Sequence, residues 1–239
     1  MSPLAQRILF MDGEAILLDK PAGLPVDPPR DGSLSLENHL ASLTFGFARW
    51  PLAVHRLDRD TSGCLLLARN PKAHKRFAAA FEAGEVAKTY VAAVAGTPPA
   101  QEGVIDLPLT KISSAERGWR MVGSAKGKAA RTRWRLIATL PSSDGPGAGG
   151  EISLIACFPE TGRTHQIRVH LSEGLGLGII GDPVYGTEPL GGGGVPMLLH
   201  ARSLSVPRAN KPPVEGKAPL PDRFALAGFT ETTLTDAGL

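Results

Sequence analysis

The apolar residues of this chain fall into short blocks bounded by proline, glycine and charge, and helical spacing is the exception. Blocks of that kind predict strands. Glu14 to Asp19 is one, stopped at Lys20-Pro21, where proline disfavours further pairing and Gly23 permits a turn. Cys64 to Ala68 is another, long enough for one buried strand. A turn crowded with His55, Arg56, Asp58, Arg59 and Asp60 leads into it through Thr61, Ser62 and Gly63. Val86–Ala95, Val104–Leu107 (ended by Pro108), Ile152–Phe158 and Met197–Val206 are further strands. From Ala130 to Leu140, Thr132, Trp134 and Leu136 alternate with Arg131, Arg133 and Arg135, which predicts a half-exposed strand with one cationic face. That arginine row is either ordinary solvated charge or the lining of a nucleic-acid path.

Helical spacing appears in Leu36, Leu40 and Leu43, which predict a short helix over Leu34–Leu43. It is clearer after Asn70, which can cap a helix that Pro71 starts and Gly84 ends; Ala73, Phe77, Ala80 and Phe81 form its apolar stripe. Lys72, His74, Lys75 and Arg76 lie mostly off the stripe, as a solvated face or as phosphate contacts. Composition makes Pro25–Ser33, Pro141–Gly150 and Leu190–Val195 loops. The polar stretch Lys111–Lys128, with Trp119 and Met121 in it, is a hairpin or a mobile loop. Strands outnumber helices, and several neighbouring pairs lack a helix long enough for a crossover. The expected fold is therefore α+β, with a mixed, largely antiparallel sheet. No linker is visible before the C-terminal region, so residues 1–207 are expected to form a single domain and 208–239 a Pro-rich C-terminal tail.

Composition narrows the function classes only a little. The formal charge of +3 and a pI near 9.0 suit a polyanionic partner without requiring one. Cys64 and Cys157 each lie in an apolar run and read as buried thiols, with no disulfide framework. His165 and His170 miss the i, i+4 spacing that places two ligands on one helix face, so no metal site is expected. No apolar run approaches the roughly 20 residues of a membrane span, and no signal peptide is visible. A soluble cytoplasmic protein, monomeric and without a membrane partner, is expected.

Two charged stretches carry the candidate chemistry. The first, VHRLDRDTSGCLLLAR, runs from Val54 to Arg69; the second, PETGRTHQIRVHL, runs from Pro159 to Leu171. Taken singly, the first is a loop of solvated ion pairs beside a strand, and the second a basic amphipathic helix facing water. Taken together and in order, with KTYVA (Lys88 to Ala92) between them and LLDKPAGL (Leu17 to Leu24) ahead, they resemble the signature segments of the RluA-type RNA pseudouridine synthases. The LHA of Leu199 to Ala201 also resembles a segment of that family.

The resemblance implies a mixed sheet with a central catalytic cleft where the signature loops meet. It also implies conversion of uridine to pseudouridine in ribosomal or transfer RNA. That reaction cuts the bond from ribose to the base nitrogen, turns the uracil and rejoins it through carbon, with no net redox change and no cofactor. The family's catalytic aspartate falls on Asp58, with Asp60 its internal rival, expected to pair with a neighbouring cation. Attack on the sugar, attack on the base and elimination to a glycal are all open routes for Asp58. A carboxylate in a water-poor cleft tends to take up a proton unless a cation holds it ionised, and the family's position for that cation is Arg168. The alternative for Arg168 is a solvated side chain. Tyr90 matches the family's active-site tyrosine, able to stack on uracil and relay a proton. Arg56 matches the residue that fills the gap left by the extruded base. His55, Arg163 and His165, in the same segments, are expected to bind substrate, and Tyr185 is left between the cleft and packing. Two departures from the family pattern are Cys64, where leucine is usual, and Gly178, which replaces a proline and should loosen its loop. Rival functions are a non-catalytic RNA-binding module and a hydrolase using Asp58 and Asp60 on a sugar.

Overall fold

The computed structural model describes residues 4–29, 31–114, 116, 118–142, 150–186 and 195–239. They divide into two compact units, Met1–Lys88 with His200–Pro219 and Thr89–Leu199 with Leu220–Leu239. In chain order, β1 (Ile8–Met11), β2 (Ala15–Lys20), β3 (Leu52–Ala53), β4 (Ser62–Ala68) and helix α1 (Pro71–Glu82) come first. Strand β5 (Ala87–Ala95) carries the chain into the second unit. There follow β6 (Glu102–Asp106), β7 (Leu109–Ser114), β8 (Gly118–Gly123), β9 (Arg131–Ser142), β10 (Gly150–Pro159) and α2 (Gln166–Val169). Then come β11 (Leu199–Val206), β12 (Val214–Lys217) and α3 (Glu231–Asp236).

In the first unit β2 and β4 pair antiparallel from Ala15↔Ala68 to Lys20↔Gly63, and every residue of both is buried. Burial on both faces is why these strands read as unbroken apolar runs. β11 lies parallel to β4, with His200 opposite Ser62 and Ala201 opposite Gly63. The Ser62 hydroxyl meets His200 Nδ1 at 2.8 Å, so His200 is a packed strand histidine. Gly63 has φ +106°, and a Cβ there would overlap the Ala201 carbonyl, so the glycine is what lets the two strands close. α1 behaves as its sequence dictates: the Asn70 side chain accepts from Ala73 N–H at 2.9 Å, and Ala73, Phe77 and Ala80 are buried. The leucines at 36, 40 and 43 are buried by a tight 3₁₀ helix, Leu36–Leu43.

In the second unit β10 pairs antiparallel with β5 and with β9, and β6 pairs antiparallel with β9. Strand alternation divides its core. Ala92, Val94, Ile155 and Cys157 pack with Trp134, Ile167 and Leu171, whereas Val91, Ala93 and Leu154 pack with Phe224, Phe229 and Leu234. The residues from 208 onward therefore differ from the tail expected of them. β12 pairs with β11 in the first unit, and the 3₁₀ helix Asp222–Ala227 and α3 supply apolar cover in the second. The stretch Lys111–Lys128 contains a true hairpin, β7–β8, paired from Leu109↔Gly123 to Ser114↔Gly118. The loop expected at Pro141–Gly150 lies outside the described residues except at its ends, which belong to β9 and β10; that at Leu190–Val195 lies outside them except for Val195. Gly178 does not leave its neighbours unpaired, because its carbonyl accepts from Ala95 N–H and Ile180 N–H donates to Ala93 O. Among the described residues, the strand pairs given above are antiparallel apart from β4 with β11, and the architecture is α+β.

Candidate active site

Asp58 sits half-buried in the loop between β3 and β4, and the loop is pinned from several sides. The wholly buried Lys20, at the end of β2, donates from Nζ to the carbonyls of Pro21 (2.9 Å), Leu24 (2.8 Å) and Arg59 (3.0 Å). Gly23 N–H also donates to Arg59 O at 2.9 Å, and Thr61 N–H closes a turn on Asp58 O at 3.1 Å. The backbone on either side of the carboxylate is thereby tied to the N-terminal strand and turn. Three carbonyl acceptors are what allow an ammonium to lie at zero exposure. Sequence reasoning missed this role for Lys20; a lysine closing an otherwise apolar strand was the available signal.

His55 is a peg for the same loop. Its Nε2 accepts Leu66 N–H from β4 at 3.0 Å, and its ring stacks on Phe81 of α1 at 4.5 Å. Burial, then the nearby Lys88, pulls its pKa down to about 4, which keeps Nε2 an acceptor at neutral pH. Arg56 projects outward, its Nη1 2.8 Å from Asp27 Oδ2. Asp60 pairs with Arg59 at 3.1 Å, the neighbouring cation expected for it.

The second signature stretch packs differently from a basic amphipathic helix. All four residues of α2 are buried, and the chain continues into a π-helical turn, His170–Gly174. His165 precedes α2 with φ +53° and ψ +19°, a left-handed conformation uncommon outside glycine. The Gln166 side chain organises the approach: Oε1 accepts from Thr161 Oγ1 (2.7 Å) and Arg163 N–H (2.9 Å), and Nε2 donates to Arg131 O and Thr132 Oγ1 (both 3.0 Å). Arg163 is exposed and donates from Nε to Ala129 O at 2.9 Å. His170 is fully buried between Thr132 Oγ1 (2.8 Å) and Leu107 O (3.0 Å), and burial lowers its pKa.

Arg168 is 6 % exposed, which rules out the solvated alternative. Asp182 clamps it in two places, accepting from Nε at 2.7 Å and from Nη2 at 2.8 Å. Asp182 Oδ1 also accepts the N–H groups of Val184 (2.9 Å) and Tyr185 (3.1 Å). Burial alone would raise the Asp182 pKa, but Arg168 and these two amides hold it below the usual carboxylate value. The guanidinium lies 5.0 Å from the centre of the Tyr185 ring. The Tyr185 hydroxyl accepts Met121 N–H at 2.9 Å and meets His165 Nδ1 at 2.8 Å. Tyr90, half-buried on β5 opposite Cys157, packs against the apolar cluster that contains Ile167. His55, Arg56 and Asp58 thus belong to the first unit, and Tyr90, Arg163, His165 and Arg168 to the second. Asp182 and Gln166 were not legible as site residues, because their task appears only through the partners they hold. No cluster of metal-binding side chains occurs among the described residues.

A pinned carboxylate loop and a buried arginine held in a bidentate clamp are parts suited to an enzyme that handles developing charge. Residues 14–173 match the family model described as RNA pseudouridylate synthase, and the chain belongs to that family. It is 56% identical over 232 residues to an uncharacterized RNA pseudouridine synthase of Zymomonas mobilis, covering 96% of this chain and 100% of that one. It is 40% identical over 188 residues to a ribosomal large subunit pseudouridine synthase D of the same organism, covering 75% of this chain but only 56% of the relative. Among solved structures, human RNA pseudouridylate synthase domain containing 1 superposes with a TM-score of 0.76 at 27% identity, over 95% of this chain and 89% of that one.

Proposed function

We propose that this protein isomerises specific uridines of RNA to pseudouridine, with Asp58 as the carboxylate at the reacting centre. The observation that carries the proposal is that the family match, residues 14–173, spans both signature stretches and so includes Asp58, Tyr90 and Arg168. In this reading the glycosidic bond breaks with positive charge developing at the anomeric carbon, and the Asp58 carboxylate answers that charge. The Asp182 clamp fixes the Arg168 guanidinium in one orientation for its part in the reaction. Tyr90 stacks on the turning uracil and relays its proton, while Arg56 braces the space vacated by the extruded base. Arg163 and His165 face the RNA backbone and bases; His55 contributes by holding the loop.

The RNA is ribosomal or transfer RNA, and the name of the second Zymomonas relative favours the ribosomal choice. The protein acts as a monomer in the cytoplasm, which sedimentation of the purified chain and fractionation of its cells would check. The rival reading, an RNA-binding module without catalysis, draws on the arginines at 131, 133 and 135. Two of these are engaged by Glu160, and Arg135 donates to Ala237 O, which favours structural pairing over a path for phosphate. Pseudouridine mapping of total RNA from cells with and without the gene product decides between the two. Loss of discrete sites without the protein supports the synthase; identical maps support the binding module.

A further inference from the structure

Trp119 has no task in the chemistry above, yet its surroundings are built. It lies on β8 near the end of the β7–β8 hairpin and is 48% exposed, whereas Trp134 of the same unit is 4% exposed. A single exposed aromatic on a surface needs no explanation. This one is stacked on another ring: the His165 imidazole lies 5.1 Å from it, 24° from parallel. His165 is the residue held at φ +53°, and the Tyr185 hydroxyl meets its ring at 2.8 Å while also accepting Met121 N–H from the Trp119 strand. One hydroxyl thus ties both partners of the stack to the same point. Left-handed backbone at a residue other than glycine persists only where the surroundings impose it. Here what it achieves is the placement of an imidazole against an indole.

The charge around the stack points to its ligand. Lys111 Nζ lies over the indole ring, 5.0 Å from its centre, and the exposed Lys126 and Lys128 follow on the turn beyond the other end of β8. Arg163 bonds to the carbonyl of Ala129, next to Lys128. Glu173 accepts Gly123 N–H at 2.7 Å, at the other end of β8 from Trp119. A half-exposed indole, backed by an imidazole and covered by an ammonium on a flexible stem that a base can displace, is an arrangement that takes a nucleobase on its face with phosphates alongside.

We propose that Trp119 is a stacking platform for an unpaired base of the RNA, with the His165 ring setting the pose of the indole. The proposal rests on the RNA reading above and adds a residue that recognises single-stranded nucleotides outside the reacting uridine. The test uses two labelled RNAs, a stem closed by a uridine loop and the same stem closed by an abasic loop, each titrated with the full chain. The wild type should prefer the uridine loop, and Trp119→Ala should weaken uridine-loop binding about 5- to 100-fold while leaving abasic-loop binding nearly unchanged. Trp119→Phe, which keeps a ring, should retain most of the preference, so that stacking is separated from misfolding. An unchanged preference in Trp119→Ala, or its loss in Trp119→Phe as well, overturns the platform while the synthase reading stands. Wild-type protein that binds neither RNA overturns the RNA reading and the platform with it.

Discussion

Asp182 and Arg168 show how a buried ion pair is made tolerable, and the proposed function gives the same pair a part in the chemistry. A guanidinium at 6 % exposure is tolerable because a carboxylate meets it through two nitrogens, and the carboxylate is itself satisfied by two amides. Removing one member leaves the other buried and uncompensated. Asp182→Asn should therefore cost about 3–5 kcal/mol in denaturant unfolding. It should also lower the rate of pseudouridine formation by more than the loss of folded protein explains. A variant as stable as the wild type would show that the clamp is dispensable. His55 makes a prediction of a different kind, about pH. Its pKa drops from 6.5 to about 4 in the fold, so between those values the unfolded chain binds a proton that the folded chain refuses. Stability should fall as pH drops through that window, by up to about 3 kcal/mol, since one unit of pKa is worth about 1.4 kcal/mol. Asp182, with its pKa lowered from 3.8, adds a further loss only at more acidic pH. Melting curves across pH 7 to 4 should be steep for the wild type and flatter for His55→Gln; equal slopes would contradict the assignment.

At the scale of elements, the Asp58 loop is placed by two strand ends. β2 delivers Lys20 to three carbonyls, and β4 begins where Gly63 lets it meet β11. Gly63→Ala would put a methyl group into the Ala201 carbonyl from a φ of +106°. The expected cost is about 2–4 kcal/mol, from combined backbone strain and overpacking. Activity should fall with it, because Thr61 and Ser62 directly follow the turn that carries Asp58. A denaturation midpoint within error of the wild type would mean that the two strands can part without penalty. α2 makes the complementary point in the other unit. It is too short to be stable as an isolated helix, and the side-chain bonds of Gln166 and the burial of Ile167 and Val169 hold it in place.

Across the whole molecule, what could be read from the sequence was what local pattern determines. The strands β2, β4, β5 and β10 show as apolar runs because burial on both faces demands them, and α1 announces itself through Asn70, Pro71 and the stripe of Ala73, Phe77, Ala80 and Phe81, of which the first three are buried. The signature segments mark Asp58 and Arg168 as candidates only through their resemblance, taken together and in order, to the RluA-type family; singly they read as solvated charge. Other features depend on contacts between residues far apart in the chain. Lys20 and Arg59 are separated by 39 residues, so the lysine looked like a strand end and nothing more. Asp182 lies 14 residues beyond Arg168, outside any helical or strand period. In the C-terminal stretch, Phe224, Phe229 and Leu234 are scattered among prolines and charges. Their place becomes apparent only once β5 and β10 present an apolar face to cover. Trp119 likewise gains meaning only from the ring beneath it.

The proposed isomerisation hangs on one carboxylate, Asp58 on the loop between β3 and β4. Its most direct test replaces Asp58 with alanine in the purified protein. Pseudouridine formation on the RNA identified by mapping, and binding of that RNA, would then be measured under the same conditions. Product should fall below detection while affinity stays within a few-fold of the wild type. Product formed at a rate comparable to the wild type would contradict the proposal.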